Sequence, residues 1–211
     1  MNFDLAQTDE LLATTRSVRK RLDLEKPVPR EVILECIALS QQAPTGSNNQ
    51  GWRWLIVDDA DKRAQLAELY RKGAEAYLTE AVKNATEPQM KRVFGSAAFL
   101  MDVLADVPVH VVPCMTNPPA ADAPGPILSG FFGSIYPAVW SFQLALRARA
   151  MGSVLTTLHL FYADAAAEIL GIPQDVMQIA LLPVAYTKGT DFQRASRPGP
   201  ETITYWNSWG G

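Results

Sequence analysis

At 211 residues, with a hydrophobic fraction of 48% and a charged fraction of 19%, the chain has the length and apolar content for a single domain spanning 1–211 around one core. A net charge of −3 gives no global electrostatic reason to expect nucleic acid or acidic lipid as a partner. Two distant cysteines, Cys36 and Cys114, argue against a disulfide framework or zinc site and read as small buried hydrophobes.

The N-terminal stretch is acidic and polar, unlike a signal peptide, and no apolar run approaches the roughly 20 residues that span a bilayer, so a cytoplasmic location and no membrane association are expected. A first helix is predicted over about Gln7–Thr15, running into the cationic cluster Arg16-Ser17-Val18-Arg19. A second follows Pro27-Val28-Pro29, with Val32, Ile33, Cys36, Ile37 and Ser40 at helical spacing, and stops at Ala43-Pro44. A polar loop, Thr45–Gly51, leads to a strand at Trp54–Asp58. Helices are predicted near Ala60–Val82 and Pro88–Leu104, then a strand at Val107–Cys114.

Asn117–Gly130, rich in Pro, Ala and Gly, reads as a long loop. The segment from Phe131 to Ala150 reads as one helix, apolar on nearly all sides and therefore buried in the domain or between subunits. A strand at Ser153–Leu158, a short helix at Ala163–Leu170 and a strand at Ile179–Tyr186 complete the body. The aromatic tail, about 187–211, is expected to wrap over a second subunit. The class is α+β, with helices flanking a mixed central sheet.

The usual glycine-rich nucleotide loops are missing, as are the HExxH and GxSxG motifs. His110 and His159 lie in strand-like apolar segments and read as satisfied core residues. No metal site is expected, and redox or group-transfer chemistry would have to come from a bound cofactor.

Four segments stand out. Arg16 and Arg19, with Ser17 between them, can converge on a multiply charged oxyanion, although alone they read as a solvated basic helix end. The Ala43–Trp52 loop offers polar groups after a helix and, alone, reads as an ordinary turn. Gly152–Leu158 places Thr156 and Thr157 where they could hydrogen-bond a planar heterocycle, although threonine is also simply a good strand former. Arg194 and Arg197 form a second cationic site in the tail.

Together these resemble the nitroreductase family of FMN proteins, in the family's order from about Leu11 to Trp209. R-S-x-R appears as Arg16–Arg19, A-P-[ST]-x-x-N-x-Q-P-W as Ala43–Trp52, and the G-[LM]-G-[ST] turn as Ala150–Ser153. The C-terminal arginine, acid and aromatic-Trp-Asn ending appear as Arg197, Glu201 and Tyr205-Trp206-Asn207. Three positions depart from the pattern. Gly51 stands where a proline is usual, Ser196 where many members carry a lysine that Arg194 would replace, and no glycine follows Thr157.

The resemblance implies a domain-swapped homodimer with two interfacial FMN sites. Arg16 and Ser17 would hold the phosphate, Arg19 the ribityl chain or pyrimidine edge, and Arg197, with Arg194, would close from the tail. Pro44, Thr45, Gly46 and Asn49 would reach the flavin from the other subunit. Leu155, Thr156, Thr157 and Leu158 would line the ring near N5, which carries the chemistry without a protein acid or base. NADH or NADPH would reduce the flavin, and a small acceptor (nitroaromatic, quinone or similar) would take the electrons by a ping-pong scheme.

The residues that choose the acceptor would lie in the Tyr70–Asp106 helices and the Asn117–Gly130 loop. Trp52, Tyr70, Phe94, Phe131 and Phe132 are stacking candidates, each also readable as core or interface. Alternatives are an F420-using or flavin-consuming enzyme of the same fold, a non-catalytic FMN-binding protein, or a cofactor-free structural dimer.

Overall fold

Helix starts follow local capping chemistry in the computed structural model, which describes residues 3–210. Asp4 accepts from the Gln7 N–H at 3.1 Å to open α1 (Leu5–Thr14), and Asp59 accepts from the Lys62 N–H at 2.9 Å to open α3 (Ala60–Asn84). Pro29 precedes α2 (Arg30–Ser40), and Pro88 starts α4 (Pro88–Val103). The later helices are α5 (Gly125–Gly133), α6 (Tyr136–Arg147) and α7 (Ala163–Leu170), the last closed by left-handed Gly171 at φ 68°.

The strands are β1 (Trp52–Val57), β2 (Val109–Thr116), β3 (Met151–Ser153), β4 (Val176–Gln178) and β5 (Leu182–Tyr186). They run in the order β1-β2-β5-β3, with β4 also on β2, and every pairing is antiparallel. The α+β class holds, but the expected mixed sheet is antiparallel among the described residues.

Strand β2 organises the interior. Its Val109, Val111 and Met115 pack with Ile33, Cys36, Val139, Phe142 and Leu146 of α2 and α6. Its Val112 and Cys114 pack on the other face with Leu66, Tyr70, Leu100 and Leu104 from the α3–α4 side. Alternate residues of one strand thus enter two separate apolar layers, which is why it reads as a nearly unbroken apolar run. Both cysteines are free and buried, as expected.

Several boundaries differ from expectation. The predicted Phe131–Ala150 helix breaks in two, because Pro137 cannot donate to a continuing ladder and Ser134 turns back onto the Gly130 and Phe131 carbonyls. The first half, α5, also absorbs the end of the predicted 117–130 loop, with Pro126 in its first turn. On the single chain Tyr136 and Trp140 of α6 stand 40% and 44% exposed.

The predicted Ser153–Leu158 strand ends at Ser153. Thr156 makes one isolated bridge to Leu181, and Leu158–Tyr162 winds into a 3-10 turn. The predicted Ile179–Tyr186 strand begins only at Leu182, with Val176–Gln178 pairing separately.

Ala150 occupies the left-handed region at φ 56°, at the position where the G-[LM]-G-[ST] pattern has its first glycine. A Cβ there costs about 1–2 kcal/mol, only partly offset by the greater unfolded-state freedom of glycine. Ala150→Gly should therefore stabilise the fold by about 0.5–1 kcal/mol, raising Tm by roughly 1–4 °C. An unchanged or lower Tm in a thermal melt would show that Ala150 is not strained.

Candidate functional site

Where the chain leaves α1, Val18 turns inward. It is 4% exposed, and its N–H donates to the Ser153 carbonyl at 2.9 Å. This close approach depends on Gly152, where a Cβ would sit 2.8 Å from Val18 and from Thr187. With Val18 pinned to β3, its neighbours Arg16 and Ser17 are exposed, while Arg19 is half-buried. Arg19 donates through Nη1 to Ser96 Oγ at 3.3 Å, tying this segment to α4. Burial holds its guanidinium below the usual arginine range, with nearby Tyr70 pulling the other way; it remains charged.

The tail is clamped onto the same chain before it reaches the site. Arg21 donates to the Lys188 carbonyl at 2.9 Å and pairs with Asp191, while Arg147 donates to the Thr190 carbonyl at 2.9 Å. The Phe192 ring lies between two guanidiniums, Arg21 at 4.4 Å and Arg147 at 4.8 Å. Arg16 then donates to the Gln193 carbonyl at 2.8 Å. The tail's first stretch is thus held against its own chain. Beyond it, Ile203, Trp206 and Trp209 stand 68%, 77% and 91% exposed.

These contacts shape a cleft of about 1010 Å³. Leu12, Ala13, Thr15, Arg16, Ser17 and Arg19 form one wall, and Arg194–Arg197 of the tail form another. Gln89, Arg92, Val93 and Ser96 on α4, with Trp140 of α6, complete it. Among the described residues five guanidiniums line this space and no carboxylate does. Among the described residues none of the five forms an ion pair.

Five of the thirteen expected cofactor residues, Arg16, Ser17, Arg19, Arg194 and Arg197, therefore converge. Arg194 lines the cleft beside Ser196, the position where many members carry lysine. Gln89, Arg92 and Ser96 were missed in the sequence. Their spacing of three and four along α4 was the available signal, hidden because that helix offered no separate motif.

The other expected residues do not line this cleft. Pro44, Thr45, Gly46 and Asn49 belong to a separate loop, where Ser47, Asn48 and Gln50 hold positive φ of 52°, 53° and 49°. The loop is anchored by the Gly46 N–H on Ser134 Oγ at 3.0 Å and by Trp52 Nε1 on the Ser134 carbonyl at 2.6 Å. Leu155, Thr156, Thr157 and Leu158 are not among the cleft's lining residues, and Leu155 and Thr157 are exposed.

The backbone N–H of Thr156 is already engaged within the chain. That group donates to the Leu181 carbonyl at 3.0 Å, and the hydroxyl donates to Tyr70 Oη at 3.3 Å. Thr157 is thus the exposed hydroxyl of the pair. Of the stacking candidates, Trp52 and Tyr70 are core, and burial, above all, raises the Tyr70 phenol from its ordinary value.

His110 and His159 are buried, as expected, but not satisfied. His110 has one partner, the Leu104 carbonyl 2.8 Å from Nε2, and neither nitrogen of His159 has any among the described residues.

Residues 12–186 match the model of the Nitroreductase family. The chain belongs to that family. Iodotyrosine deiodinase from Thermotoga neapolitana is 26% identical over 200 residues, covering 94% of this chain and 97% of that protein.

Among solved structures, oxidised iodotyrosine deiodinase bound to FMN and 3-iodo-L-tyrosine superposes with a TM-score of 0.71 at 23% identity, covering 95% of this chain and 98% of that one. The FMN- and NADPH-dependent nitroreductase NfnB from sphigopyxis sp. strain HMH gives 0.68 at 17% identity, covering 95% and 99%. At these identities the superpositions establish a nitroreductase-like fold. Among the described residues no helix is long and apolar enough to cross a membrane.

Proposed function

We propose that this chain is an FMN-dependent oxidoreductase that takes electrons from NADH or NADPH and delivers them to a small electrophilic acceptor. The observation that carries the reading is the convergence of Arg16, Ser17, Arg19, Arg194 and Arg197 from opposite ends of the sequence on one cleft without a carboxylate. This donor set fits a phosphate monoester: guanidinium forks and a serine hydroxyl match a small oxyanion.

Arg16, Ser17 and Arg197 would hold the phosphate, with Arg194 adding the charge that Ser196 lacks. Arg19, half-buried against Ser96, would serve the ribityl chain or pyrimidine edge, where a fixed cation favours negative charge. Leu155, Thr157 and Leu158 would meet the ring, with Thr156 supporting them through Tyr70. Bound FMN would supply the hydride acceptance and donation that no side chain here provides.

Pro44, Thr45, Gly46 and Asn49 would come from the partner subunit of a homodimer. The exposed Tyr136, Trp206 and Trp209 support association, since large apolar groups left bare on one chain mark interfaces. Among acceptors, the deiodinase relative, matched over nearly its whole length, favours testing halogenated phenols first.

The test is an anaerobic visible spectrum of the purified protein before and after NADPH, then NADH. Flavin bands that bleach with either donor support the reading. A colourless protein that takes up no added FMN, or a flavin neither donor reduces, refutes it. Arg16→Ala should weaken FMN binding about 10–100-fold, the loss of one charge-assisted hydrogen bond. Unchanged affinity by fluorescence titration would remove Arg16 from the phosphate site.

A further inference from the structure

Five guanidiniums exceed what one phosphate monoester needs, since that group carries about −1.5 to −2 charges at neutral pH. The surplus is localised. Arg16, Arg194 and Arg197 sit at the α1 exit and in the tail, whereas Arg92 projects from α4. One turn either side of Arg92, at i−3 and i+4, Gln89 and Ser96 line the same cleft, and Ser96 accepts from Arg19. Beside them Val93 and Trp140 are 39% and 44% exposed and supply an apolar surface.

We propose that Arg92, with Gln89, is the acceptor-recognition site and that it selects an acceptor carrying an oxyanion, a carboxylate or a phosphate, on an aromatic ring. The ring would lie against Val93 and Trp140, and the oxyanion would meet the Arg92 fork, which binds such groups bidentately. The assignment rests on the flavin reading above, because an acceptor needs a bound reductant. It adds that electrophilic reactivity alone does not select the substrate. The cleft's volume, at the upper end of the roughly 300–1,000 Å³ range of ligand sites, leaves room for a second molecule beside a cofactor.

The experiment compares 4-nitrobenzoate and 4-nitrophenyl phosphate with neutral 4-nitrobenzamide on the FMN-loaded protein and on Arg92→Gln and Arg92→Lys. KM and calorimetric Kd are both measured. In the unaltered protein the anionic probes should bind at least tenfold tighter than the amide. Arg92→Gln should bring the anion-to-amide ratio close to one, and Arg92→Lys should restore part of it. Comparing the two anionic probes identifies the oxyanion preferred.

The proposal is overturned if Arg92→Gln shifts all three probes equally. It is also overturned if the effect appears only as a change in NADPH relative to NADH, which would assign Arg92 to the donor's extra phosphate. A protein that retains no flavin, or whose flavin neither donor reduces, refutes the oxidoreductase reading instead. The calorimetric anion-to-amide ratio still decides Arg92 in that case.

Discussion

Between pH 6.5 and pH 4 the folding free energy of this protein should fall by up to about 2.7 kcal/mol per pH unit, because two buried histidines must gain protons together. His110 and His159 are both fully buried. Burial lowers each from 6.5 to about 4; for His110 the Leu104 carbonyl opposes the shift, while Arg63 and His159 add to it. Both therefore stay neutral in the folded state across a range where the unfolded chain binds protons.

The unfolded state holds more protons between those values, so stability rises with pH there. The contribution is complete above about 6.5 and is lost as pH falls toward 4. Asp191, lowered first by its hydrogen bond from Arg21, acts only below its ordinary 3.8, outside this window. Urea midpoints at pH 7.5, 6 and 5 test the slope, and His159→Gln should remove about half of it. A flat profile would mean that water or a partner reaches the unpartnered nitrogens of His159.

What could be read from the residues alone follows from how local each determinant is. Helix α7 has the predicted bounds, Ala163–Leu170, because its stop is a glycine that takes a left-handed turn on the spot. The break between α5 and α6 was equally local at Pro137, but the surrounding apolar residues hid it: when nearly every position is apolar, periodicity no longer marks where one helix ends. The sheet's antiparallel pairing was not legible, since register depends on which distant strands meet.

The cleft shows the same division. Arg16, Ser17, Arg19, Arg194 and Arg197 were visible as charge clusters and motif positions. That Val18 pins the first cluster to β3 and Phe192 pins the second between Arg21 and Arg147 is tertiary, and so is the arrival of Arg92. Thr156 marks the limit most clearly. Its residue type suits a contact to a ring, but its N–H is already engaged by Leu181, more than twenty residues away in sequence.

Replacing Gly73 with alanine should destabilise the protein by about 3 kcal/mol, although glycine within a helix ordinarily costs about 0.5–1 kcal/mol relative to alanine. Gly73 lies inside α3, facing the 3-10 turn Leu158–Tyr162. A Cβ there would fall 2.2 Å from the Leu158 carbonyl oxygen and 3.3 Å from the Phe161 ring. The oxygen is backbone, so no rotamer change relieves the overlap, and α3 and the turn must separate. The gain in helix propensity is smaller than that separation costs.

The consequence extends to the site, because the same turn ends the Leu155–Leu158 segment and α3 also carries Tyr70, the partner of the Thr156 hydroxyl. Gly73→Ala should therefore lower Tm by roughly 6–12 °C and weaken the FMN binding proposed above. Gly95, on α4 with nothing within 4 Å of its would-be Cβ, is the control: Gly95→Ala should be neutral or stabilising. If the two substitutions behave alike in thermal melts, the contact between α3 and the turn does not set the position of the Leu155–Leu158 segment.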